Sequence, residues 1–97
     1  MATAAAQYQP KWQTEAKRLR REAALIGDNI AQMASVEVRW QEQLDNSLSY
    51  EPRYRDAQDQ LNVRVLPGKL LAIRADIAQF RAQRAGMLER ARLMEGK

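Results

Sequence analysis

The chain has 97 residues, 45% of them hydrophobic, a net charge of +4 and neither histidine nor cysteine. That length allows one domain at most. The missing residues exclude a disulfide scaffold and thiolate chemistry and remove the commonest general base and the usual zinc ligands. No apolar run approaches the roughly 20 residues of a membrane span, and Met1 to Gln7 lacks the basic and apolar regions of a signal peptide. The expected setting is cytoplasmic, or within a virion or other assembly.

Residues 1–9 are small and polar without periodicity and read as a flexible arm. The remainder, 10–97, reads as a single helical hairpin domain. Pro10 suits the first turn of a helix, which is predicted to run to about residue 48. Within it Trp12, Leu19, Ile26, Met33 and Trp40 recur every seven residues, and Ala16, Ala23, Ile30, Glu37 and Leu44 follow each by four. Alternating steps of four and three give the 3.5-residue period of supercoiled helix packing. Gly27 costs about 1 kcal/mol relative to alanine in a helix interior, so a packing reason or a bend is expected there, while the unbroken phase argues for one continuous helix.

Ser47, Ser49 and Pro52 read as stop-and-restart signals. Tyr54, Leu61 and Val65 have helical spacing, which predicts a short helix in the connector over about 52–62. Leu61, Val63 and Val65 also alternate as in a strand, but a lone strand has nothing to pair with. Pro67-Gly68 is expected to open the last helix, over about 67–95. There Leu66, Ile73, Phe80, Met87 and Met94 form one heptad row, with Leu70, Ile77, Arg84 and Ala91 between them. Consecutive helices joined by short connections pack antiparallel. The predicted fold is therefore all-α: two long heptad-phased helices in an antiparallel coiled-coil hairpin, oligomeric because the chain is too small to bury much by itself. One such register sets Leu44 against Leu70 and Gly27 level with Gly86.

Charge is unevenly placed. Residues 1–50 carry six basic and six acidic side chains, and 51–68 carry three of each, so the whole excess lies in 69–97. The first helix is polarised: Lys11, Lys17, Arg18, Arg20 and Arg21 lie at its start, and Glu22, Asp28, Glu37, Glu42 and Asp45 follow. This opposes the helix dipole, which favours acid at the start and base at the end. Folding the hairpin brings Lys17, Arg18, Arg20 and Arg21 beside Arg84, Arg90 and Arg92. Such a basic end calls for an anionic partner, either nucleic acid or another anionic polymer, or an acidic protein surface such as the 22–46 stretch of a second copy docked alongside.

Enzymatic constellations are nearly absent. Ser35, Ser47 and Ser49 lack an adjacent base, and Asp56, Asp59 and Glu51 sit among Arg53 and Arg55 as in a salt-bridged surface. No catalytic, metal-binding or cofactor-binding residue is assigned, and no cofactor is expected. The candidate interface seam is Trp12, Leu19, Ile26, Ile30, Met33, Glu37, Trp40, Leu44, Ile73, Ile77, Phe80, Arg84 and Met87, with Glu37 and Arg84 as single charges that fix register or partner when paired. The candidate basic patch is Lys17, Arg18, Arg20, Arg21, Arg90 and Arg92. Further apolar residues, Leu25, Val36, Leu71, Leu88 and Leu93, lie outside the seam, and a two-helix hairpin leaves several of them in water. Surplus apolar surface is the signature of association. The sequence thus suggests a non-enzymatic assembly, adaptor or structural subunit that binds copies of itself or a larger protein, such as a virion or secretion-apparatus component or a small chaperone. The alternative is a basic, dimeric nucleic-acid-binding regulator, although no compact helix-turn-helix pattern is present. A membrane surface is the weakest candidate, resting on the basic, amphipathic last helix alone.

Overall fold

The computed structural model describes residues 11–96, apart from the side chain of Trp12; the arm over 1–9 and Pro10 lie outside the described residues. Helix α1 spans Lys11–Leu48 and helix α2 spans Ala57–Glu95. They are joined through one turn of 3-10 helix, Pro52–Tyr54. Among the described residues there is no strand. Each helix is about 57 Å long at 1.5 Å per residue. They run antiparallel: Arg20 meets Glu95 at the open end, Glu37 meets Arg74 midway, and Ser47 meets Asp59 at the closed end.

The connector departs from the sequence expectation. The short helix predicted over about 52–62 is replaced by the 3-10 turn and the first turns of α2, which begins ten residues before Pro67. The cause is a reciprocal cap. The Asp59 amide donates to the Asp56 carboxylate (2.8 Å), and the Asp56 amide donates back to the Asp59 carboxylate (3.3 Å). Two orphan amides of the first turn are satisfied in this way, so the helix starts there.

Pro67 lies inside α2. It has no N–H for the carbonyl of Val63, and such a residue costs a helix about 3 kcal/mol. Leu66 and Leu70 flank it on the buried face at 5% and 2% exposure. Burying each leucine contributes roughly 1.5–3 kcal/mol, enough together to offset the defect. Gly68 points into open space.

The core forms a cluster at each end of the hairpin, with Ile73 and Ile77 buried between them. Ala16, Leu19 and Ala91 pack at the open end with Met87 and Met94 against them. Leu44, Leu66 and Leu70 pack at the closed end with Trp40 and Val63. Leu44 and Leu70 therefore share a cluster, as the heptads suggested. The two glycines do not face each other: Gly27 lies under the side chain of Arg84, and Gly86 has nothing near it.

Candidate interaction surface

Heptad spacing brings the seam residues to one face of each helix. Leu44, Leu66 and Leu70 are buried at the closed end, Ile73 and Ile77 midway along α2, and Leu19 at the open end. Ile26, Ile30, Met33, Glu37, Trp40, Phe80 and Met87 remain half-buried. No residue of α1 between Ala23 and Leu44 is fully buried. Trp12 lies in the first turn of α1, but its side chain lies outside the described residues.

The two seam charges take different partners, and neither is the other. Glu37 accepts from Arg74 Nε (3.1 Å), whose second nitrogen reaches Gln41 (2.7 Å). Arg84 crosses the backbone of α1 and donates to the carbonyl of Ala23 (3.2 Å). Its Nε would lie 3.2 Å from a Cβ at position 27. Gly27 is thus the seat for a long cation, which is the packing reason that its composition cost called for.

Sequence reasoning did not find the polar closure of the seam. Ser47 is only 1% exposed. Its hydroxyl donates to Asp59 (2.9 Å) and accepts from Asn62 (3.1 Å). The signal was present, because the Trp40 row extended by seven reaches Ser47, and the Leu66 row taken back by seven reaches Asp59. Arg55 completes this end by donating from Nε to the carbonyls of Ser47 and Tyr50, both at 3.1 Å. α1 has no basic residue in its last turn, so the connector supplies the cation that its C-terminal dipole favours. The carboxylates of Asp56 and Asp59 serve as caps, and Glu51 pairs with Arg53, which also stacks over Tyr54 (4.8 Å).

The basic patch is partly neutralised from within. Arg18 binds Glu15 and Glu22, Arg20 binds Glu95 (2.5 Å), and Arg92 binds Glu89 (2.6 Å). The guanidinium of Arg18 holds the Glu15 carboxyl below its usual range, and that of Arg92 does the same for Glu89. Lys17, Arg21 and Arg90 are exposed. Among the described residues no cluster of carboxylates is arranged to hold a metal ion, and no helix is long and apolar enough to cross a membrane.

Comparison with protein-family models, curated proteins and solved structures found no match. Leu71 is 73% exposed, Leu25 65% and Val38 55%. Val38 and Leu71 lie level with each other on one flank of the hairpin. The middle of that flank is a shallow groove between Ala24 and Gly27 of α1 and Arg81, Ala85 and Leu88 of α2. On the opposite flank Lys69 sits over the ring of Trp40 (5.4 Å).

Proposed function

We propose that this protein is a non-enzymatic assembly subunit that works through coiled-coil contacts, associating first with copies of itself. The observation that carries this reading is the middle of the hairpin, where Ile26, Ile30, Met33 and Trp40 of the α1 seam are only partly buried although Ile73 and Ile77 of α2 are buried. Fully burying a large apolar side chain contributes roughly 1.5–3 kcal/mol, so completing the cover of these partly buried ones adds a fraction of that each, and a chain of this size has few other sources of stability. Further helices packed on the hairpin would supply that cover.

The alternative, a dimeric nucleic-acid-binding regulator, has less support, because Arg18, Arg20 and Arg92 are each engaged by carboxylates of the same chain. Thermal unfolding followed across protein concentrations of about 1–100 µM, with light scattering at low salt and at about 0.5 M, separates the readings. Association that stabilises the fold raises the melting midpoint with concentration and, being seam-driven, survives salt. A midpoint independent of concentration in a monomeric protein removes the assembly reading. Co-purifying nucleic acid that salt strips off favours the alternative.

A further inference from the structure

The outer face of α1, which borders the groove to α2 at Ala24 and Asp28, carries its own order. Lys17, Arg21, Ala24, Asp28, Ala31, Ser35, Val38, Glu42 and Asp45 recur in steps of three and four, and every one of them is exposed. Two cations stand at its start and two carboxylates at its end, with Asp28 and otherwise small or apolar residues between. A groove lined by Thr14, Lys17, Arg20 and Arg21 marks the basic end. Turned end for end, this pattern is its own complement. Lys17 falls opposite Asp45, Arg21 opposite Gln41 and Glu42, Ala24 opposite Val38, and Asp28 beside the hydroxyl of Ser35, with Ala31 at the centre.

The matching face of α2 has no such symmetry. Its row is Arg64, Leu71, Ala78, Ala85 and Arg92, all exposed. Turned end for end, Arg64 would meet Arg92, and like charges in contact oppose association. A polyanion fits the α1 face poorly, because Glu42 and Asp45 would repel it along half its length. α1 also carries acid late and base early, against its own dipole. A partner helix lying antiparallel turns that local penalty into attraction across an interface.

We propose that a second copy of this chain docks antiparallel on the outer face of α1, with the two-fold axis at Ala31, so that Lys17 and Arg21 of each copy meet Asp45 and Glu42 of the other. The inference rests on the reading that the chain self-associates, and it adds to the seam-driven contact a charge-paired one on a different face, which salt weakens by screening its ion pairs. A closed two-fold contact of this kind uses the same patch on both copies.

Charge reversal with rescue tests it on the whole chain by light scattering. Lys17→Glu with Arg21→Glu is expected to weaken the dimer at least about tenfold, because four attractive contacts become repulsive. Both positions are exposed, and acid near the start of α1 favours the isolated helix, so circular dichroism should show full helicity. Adding Glu42→Lys and Asp45→Lys to the same chain should restore affinity to within a few-fold of the parent. The chain has no cysteine, so Ala31→Cys reports directly on the axis. It should form a disulfide-linked dimer on oxidation, whereas Ala78→Cys on α2 should not. If the four-change chain stays as weak as the two-change chain, or if Ala78→Cys crosslinks in place of Ala31→Cys, this face is wrong while the assembly reading stands. A chain that remains monomeric at every concentration overturns both.

Discussion

Gly27 and Arg84 show how a single position decides between propensity and packing. Gly68 and Gly86 lie in helix interiors with open space where a Cβ would go. Replacing either with alanine should stabilise the hairpin by about 0.5–1 kcal/mol in chemical denaturation. Gly27→Ala should return clearly less, because its Cβ meets Arg84 Nε at 3.2 Å and the guanidinium must shift off the Ala23 carbonyl. Equal gains at all three sites would show that Arg84 does not use its seat. Ser47 is the opposite case, a polar residue on an apolar row. Ser47→Ala should cost about 1–3 kcal/mol, since it leaves Asp59 and Asn62 without their shared buried partner.

The helices themselves were legible in the heptads, and their junction was not. The apolar rows placed Leu19, Leu44, Ile73 and Ile77 on the packed face, and all four are buried. Pro67-Gly68 misled because local signals favour a helix start there, while the two ends of the decision lie elsewhere: in the Asp56–Asp59 cap upstream and in the burial of Leu66 and Leu70 on either side. The partners of Glu37 and Arg84 were equally out of reach. Arg74 lies beside the seam rather than on it, and a backbone carbonyl such as that of Ala23 leaves no trace in sequence. Pro67→Ala gives the Val63 carbonyl back its amide donor at an exposed position. It should stabilise α2 by up to about 3 kcal/mol, read as a higher denaturation midpoint at unchanged slope. A loss of stability would show that the hairpin depends on a local distortion there.

For the molecule as a whole, the absence of histidine and cysteine leaves no side chain with an ordinary pKa between about 5 and 8. Stability should accordingly be flat across that range. Glu15 and Glu89 are held below their usual value of 4.5 by Arg18 and Arg92. A depressed carboxyl contributes stability above its unfolded pKa and loses it as pH falls through the folded one. Helicity should therefore decline below about pH 4.5, and Glu15→Gln with Glu89→Gln should make that decline shallower in an acid titration. The same substitutions would leave Arg18 with Glu22 alone and Arg92 without Glu89, increasing the free positive charge at the open end. Binding of an anionic polymer by this variant, and not by the parent, would show that the intramolecular pairs mask a basic surface.

The seat of Arg84 on Gly27 and the closure at Ser47 also act as two pins set far apart on one rod. If α2 slid by one heptad along α1, Arg84 would ride over Arg20 or Ala34 instead of a bare backbone. Ser47 would lose Asp59 and, in one direction, bury its hydroxyl against Leu66. Both penalties fall together, and many heptad-compatible slips incur them because the pins are polar within otherwise interchangeable apolar rows. The two pins thus fix the register of the hairpin, and with it the length of the rod.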